Sequence, residues 1–275
     1  MSRVRNARGE DDVTRTDGAD GARRALTARS VLLSVLLGTD PPRLPVSLLV
    51  GTTELFGISE GTTRTALSRM VAAGELRADD GRYEIAAPRL LQRQARQARS
   101  RRGATEPWEV GDAWLQAVVV VEGRRPADER AALRVALVDA RLAELREGVW
   151  LRPANLGDVP PALAADPTLV WMRAHPDGPA ALAARLWDLG SWSATADDLR
   201  SQLADVTPVL EAGDRTALAA GFVLSAAVLR HFQADPLLPR DLRPAGWPGD
   251  GLRGDYDRFD AAYRGVLRAW FDEHR

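Results

Sequence analysis

From residue 26 onward, apolar positions recur first at helical spacing and later in short β-branched runs, and the switches between the two divide the chain. Over "LTARSVLLSVLLG" (26–38) they fall at 28, 31, 32, 35 and 36, the period of an amphipathic helix, with Thr27 as cap and Gly38 as stop. The stretch 42–57 predicts a second helix from Pro45 to Leu55 or Phe56, after which Gly57 turns the chain. Ser59 then caps a third helix within "FGISEGTTRTALSRMVAAGEL". At about 100° per residue, Thr63, Ala66, Leu67, Met70 and Val71 gather on a core-facing side. Gly61, Thr65, Ser68 and Ala72 face outward, with Arg64 and Arg69 at the edges and Thr62 near the start. Past Gly74, "LRA" and "RYEIA" flank an Asp-Gly pair, a hairpin signal, and bring Arg77 and Arg82 onto or beside that hairpin.

Helix, helix, turn, helix and basic hairpin is the order of a winged helix-turn-helix. An outward face that is small at its centre and basic at its margins suits a helix entering a major groove, where bulky side chains would hold it away. The same apolar spacing also fits a structural or protein-binding winged helix. The arginine-rich stretch 92–102 changes composition sharply. It reads either as a phosphate-contacting helix extension, with Arg93 and Arg96 as candidate contacts, or as a solvated hinge.

Beyond Glu106, "AWLQAVVVVEG" predicts a strand, "ADERAALRVALVDARL" a helix with Ala132, Val135, Ala136 and Leu142 among the inward positions, "GVWLRPANL" a strand, and "TLVWMRAHPDG" another. That order is consistent with a small ferredoxin-like α/β sandwich. From 179 the pattern is helical: 181–206 with a Gly-Ser-Trp break, 215–233, and a last helix carrying Phe259, Tyr263, Val266, Leu267 and Trp270. Trp187, Trp192, Phe222, Phe232 and Trp247 either line a pocket between helices or fill a core.

Net charge is −1, which argues against a polyanion partner until it is divided along the chain. Residues 27–105 hold 12 arginines against 7 acidic residues, and residues 106–275 hold 19 against 26. A basic head on an acidic body is a pattern that binds a polyanion by one end. Cysteine is absent, so disulfides, thiolate metal sites and a cysteine nucleophile are excluded, and a reducing, cytoplasmic setting fits. The first 26 residues lack a signal-peptide apolar region and read as a disordered tail. No continuous apolar run approaches the roughly 20 residues of a membrane span. The three histidines, 175, 231 and 274, are scattered, the acidic residues form no convergent pair, and both the phosphate loop and the dinucleotide fingerprint are missing. No catalytic residue, metal or cofactor is therefore expected, and the chain does not read as an enzyme.

Three blocks in order, "ARSVLLSVLLG…GISEGTTRTALSRMVAAGEL", "RLAELREGVWLRPANL" and "LWDLGSW…HFQADPLLPRDLRPAGWPGD", resemble the PaaX-like transcriptional regulators over 27–275. The resemblance implies an α+β multidomain protein. Its parts would be a tail (1–26), a winged helix-turn-helix (27–90), an arginine-rich linker or helix extension (91–105), a central ferredoxin-like, Cas2-like domain (106–178) and a mostly helical, effector-responsive or dimerising C-terminal domain (179–275). It further implies a homodimeric repressor of catabolic or metabolic genes, bound to a palindromic double-stranded operator. An effector such as phenylacetyl-CoA or another acyl-CoA would release it, at a site the sequence leaves unassigned. By position it places Thr62, Arg64, Thr65, Ser68 and Arg69 on the recognition helix and Arg82 in the wing, while Asp79 and Asp80 make that wing less basic than is usual. Two rival readings remain: a DNA-associated structural or protein-interaction protein without effector control, and a metal-dependent nuclease in which Glu122, near the end of the first central strand, would hold Mg²⁺.

Overall fold

The computed structural model describes residues 26–39, 41–103, 105–120 and 126–274. The expected tail, save its last residue, and Glu122 lie outside the described residues. The architecture is mixed α/β: an N-terminal α/β region, a central sheet-rich segment and a mostly helical C-terminal segment. It divides into two compact units. One holds the described parts of Met1–Ala95, Gln202–Ala227 and Asp257–Arg275; the other holds those of Arg96–Ser201 and Val228–Tyr256.

In the first unit, α1 (Ala28–Leu37) begins at a capping box in which Thr27 and Ser30 satisfy each other's backbone N–H groups. A short strand β1 (Arg43–Pro45) precedes α2 (Val46–Glu54), and Gly57, at φ +70°, turns the chain toward α3 (Glu60–Ala72). The three helices pack on one another. On α3 the inward side is Thr63, Leu67 and Met70, all buried, spaced i, i+4, i+7. Val71, expected in the core, is 36% exposed, and Ala66 is half-buried. The core-facing stripe is thus narrower than the pattern suggests, because it meets two helices along one line.

A buried hydroxyl pair fixes α2 to α3. Thr53 Oγ1 and Thr63 Oγ1 lie 2.7 Å apart, so one hydroxyl donates to the other, and the accepting hydroxyl gives its own proton to its helix carbonyl, that of Val50 for Thr53 or of Ser59 for Thr63. Thr63→Val strands its partner's remaining capacity and is expected to lower stability by about 1 kcal/mol. The double variant Thr53→Val/Thr63→Val should lose less than the sum of the singles, since neither position then holds an unpaired polar atom. Urea titrations of the three variants check this; strict additivity would overturn it.

After α3 the chain turns through a Schellman motif at Gly74 (φ +67°), with Gly74 N–H donating to Val71 and Glu75 N–H to Met70, both at 2.9 Å. The hairpin β2 (Leu76–Asp79) and β3 (Arg82–Ile85) follows. Asp80 and Gly81 both have positive φ, 45° and 69°, as a two-residue type I′ turn demands. The register closes with Asp79 opposite Arg82, and β1 pairs on the other side of β3, giving the order β1-β3-β2. Residues 92–102, which the sequence leaves open between helix extension and hinge, lie within the helix α4 (Pro88–Arg102).

The second unit holds a four-stranded antiparallel sheet of β4 (Trp114–Val119), β5 (Ala143–Arg146), β6 (Val149–Pro153) and β7 (Leu169–Ala174), in the order β5-β6-β4-β7. Between them run α5 (Ala127–Asp139) and the short α6 (Pro161–Ala164). One sheet face packs Ala117, Trp150 and Leu169 against Leu137 and Leu163. Trp114 and Leu151 on the other meet Ala183, Leu189 and Leu238. Val135 and Ala132 were expected inward and are exposed. The packed line of α5 is Leu137, buried, with Leu133, Ala136 and, just past the helix, Ala140 partly buried beside it, rotated from the expectation because alanine and valine occupy both sides of this helix. The strand β5, absent from the sequence reading, pairs with β6 through a bulge at Glu144 and Arg146.

The C-terminal segment supplies α7 (Pro179–Leu186), α8 (Leu189–Glu211), α9 (Leu218–Ala234) and α10 (Gly249–Glu273). Contrary to the expectation, residues 215–234 are long and apolar enough to cross a membrane. Leu218, Leu224, Val228 and Phe232 of this stretch are buried within the protein. The aromatics left open between pocket and core act as packing groups. Trp192 stacks at 4.3 Å on His231 and on Trp247, Trp187 lies against Trp114, and Phe222 meets Phe56 edge-on.

Candidate nucleic-acid interface

The Ser59 side chain accepts from the Thr62 N–H and shares a 2.9 Å hydrogen bond with the Thr62 hydroxyl, opening α3 on an ordered polar turn. From there Gly61, Thr62, Arg64, Thr65, Ser68, Arg69 and Ala72 are all exposed. Thr65 and Ser68 donate to the carbonyls of Gly61 and Arg64, four residues back. Each hydroxyl oxygen still has lone pairs for an outside donor. The outward side of α3 is therefore a strip of small and hydroxyl groups.

The candidate arginines divide by their partners. Arg64 is bound to Glu60 one turn earlier at 2.7 Å. Arg77 is tied across the hairpin to Glu84, and Arg96 reaches Asp139 at 3.2 Å. Among the described residues, Arg69, Arg82 and Arg93 have no acidic partner. A paired guanidinium offers a polyanion less than a free one, because its charge is already compensated. The nine sequence-predicted residues thus separate into four hydroxyl or paired groups on α3, two further paired arginines and three uncompensated cations on α3, β3 and α4.

Sequence reasoning missed Glu75, which is only 7% exposed. Arg29, at the start of α1, grips it with Nε and NH2 donating to its two oxygens at 2.9 and 2.6 Å. Arg89 stands 3.5 Å from the same carboxylate. The hydrogen bonds from Arg29, more than the reach of Arg89, hold the Glu75 carboxyl below the usual range. The available signal was the Gly74-Glu75 pair: a Schellman turn returns the residue after its glycine toward the helix it has just left.

The second unit has its own buried cation, Arg152 on β6, which donates to the carbonyls of Pro153, Leu156 and Gly157. Burial pulls its guanidinium down to about 10, against the opposing charges of Glu106 and Asp158. It is a loop fastener and is remote in sequence from the strip on α3. Among the described residues no group of three or more histidine or acidic side chains gathers to hold a metal ion, and the chain has no cysteine.

A family model described as PaaX-like protein matches residues 27–87, the stretch containing α1 to β3. No protein of curated function matches the chain. Among solved structures, the "Uncharacterized protein Rv0674 from Mycobacterium tuberculosis" is 41% identical, with a TM-score of 0.71 over 89% of this chain and 98% of that one. With that identity across nearly all of the relative, this protein belongs to the same family as Rv0674.

Proposed function

We propose that the protein is a sequence-specific DNA-binding transcriptional regulator, a repressor of catabolic or metabolic genes that a small-molecule effector releases. The observation that carries this reading is the exposed strip of α3, small and hydroxylic at its centre, beside the uncompensated Arg69 and Arg82, all within the segment matched by the PaaX-like model. Residues 27–90 act as a winged helix-turn-helix: α3 enters the major groove, the hairpin touches the flanking backbone, and Arg93 on α4 adds a phosphate contact. The β-α-β-β-α-β segment is a ferredoxin-like, Cas2-like module, and the C-terminal helices respond to effector or join two copies. A homodimer would set two recognition helices about 34–36 Å apart on a palindromic site. The PaaX-like resemblance suggests an acyl-CoA, phenylacetyl-CoA first, as effector, and a cytoplasmic setting.

The test is titration of the full chain with its own upstream intergenic DNA, across salt, with and without phenylacetyl-CoA. Tight binding lost on adding the thioester supports both halves of the reading, and binding indifferent to it removes only that ligand. Arg64→Ala/Arg69→Ala is expected to weaken the specific site by about 1–3 kcal/mol per base-reading contact and to relax its sequence preference. A double variant that binds the site as tightly as the parent would sink the assignment of this face.

A further inference from the structure

An open cleft of ≈ 620 Å³ lies along α3, walled on its far side by the first residues of α1. Ala66, Met70 and Ala73 give it an apolar lining, and Arg29 and Arg69 are its two cations. Thr62 and Thr65, already part of the exposed strip, line it as well. The cleft is therefore continuous with the proposed base-reading face and bounded by a different element.

Its cations are held differently. Arg69 has no acidic partner among the described residues. Arg29 is fixed by the two-point grip on Glu75, which the Schellman turn delivers and which is itself buried. Arg29 nevertheless stays 49% exposed, so part of its planar fork remains open to an outside acceptor. With its guanidinium half in water, the pair is partly screened and contributes only modestly to stability. What the pairing does accomplish is orientation: a guanidinium already immobilised loses less freedom when it binds a further oxygen. Charge also remains to be matched, because Glu75 faces both Arg29 and Arg89 while Arg69 adds a third cation nearby.

We infer that this cleft seats one stretch of DNA backbone, its phosphate on Arg29 and its sugar on the apolar lining. The inference rests on the DNA-binding reading above and adds Arg29 as a binding residue, with Glu75 as the residue that positions it. An apolar lining with cations beside it matches a sugar–phosphate unit, which presents carbon and anionic oxygen side by side. Arg29 then contributes to affinity for any sequence, while the strip on α3 discriminates between sequences.

The test uses the full chain and two DNA fragments, one selected by the wild-type protein from a genomic library and one unrelated, titrated between about 50 and 200 mM salt. Arg29→Ala is expected to weaken both fragments alike and to make the salt slope shallower by about 0.9, the share of one phosphate. Arg29→Lys should restore the slope. If Arg29→Ala melts early, Arg29→Gln, which keeps a donor toward Glu75 without the charge, reads the same slope. Unchanged slope and affinity in the uncharged variants, with Arg69→Ala still weakening the selected fragment, would overturn the cleft and leave the regulator standing. A wild-type protein that selects no fragment would overturn both.

Discussion

Arg253→Met is expected to lower the stability of the protein by roughly 3–5 kcal/mol, the largest single effect foreseen outside the apolar core. Arg253 on α10 donates to Asp235 at 2.7 Å; the Asp235 side chain is buried, and that of Arg253 keeps 14% exposure. Its remaining N–H groups reach the carbonyls of Ser100, Arg101 and Gly249, and its guanidinium lies 4.9 Å over the Phe232 ring. The carbonyls of Ser100 and Arg101 belong to the last turn of α4, which has no intrahelical donors left and which a cation complements. The other Asp235 oxygen accepts from the Leu237 N–H, whose residue sits at φ +53° and needs such a restraint.

Methionine keeps much of the stem but leaves a buried carboxylate without its bonded cation, with only the through-space charge of Arg141 nearby, and two helix carbonyls with no donor. Arg253→Met/Asp235→Asn should recover part of the loss, because the uncompensated charge is then gone. Chemical denaturation of the two variants and the parent decides it. A single variant as stable as wild type would mean that water already reaches the pair.

How much of this was readable beforehand depends on the range of the interaction. The Asp-Gly turn, the Ser59 cap and the Gly57 bend are set by neighbours in sequence, and residue chemistry alone locates them. The Arg64–Glu60 pair was equally visible, as a four-residue helical spacing. Helix rotation was less so. On α5 the string "ERAALRVALVDA" is apolar on most sides, and only contact with the sheet selects Leu133 and Leu137 over Val135. On the candidate interface, exposure of the strip followed from periodicity, whereas the neutralisation of Arg77 by Glu84 required strand register and that of Arg96 by Asp139 required tertiary packing. The Arg29–Glu75 grip spans 46 residues, and no local pattern announces it.

The tie between Trp270 and Gly51 is longer still, and it yields a prediction in which one substitution changes sign with its background. Trp270 on α10 is buried, and a Cβ built on Gly51 of α2 would stand 2.8 and 2.9 Å from two of its ring carbons. Trp270→Ala is therefore expected to cost about 3–5 kcal/mol, by lost burial and by the cavity left between helices. Gly51→Ala alone sets two terms against each other. Alanine favours the helix by roughly 0.8–1 kcal/mol over glycine, whereas overpacking against an indole that cannot retreat costs about 1–3 kcal/mol, so a net loss is expected. Once Trp270 is alanine the indole is gone and only the helix term remains, so Gly51→Ala should stabilise that background. A denaturant-based double-mutant cycle measures the reversal, and an equal effect in both backgrounds would show that the two residues do not meet. Gly51 lies on the helix that the Thr53–Thr63 hydroxyl pair locks to α3. Glycine at 51 is thus explained by the indole it admits, and the end of α10 takes part in holding the proposed recognition helix in place.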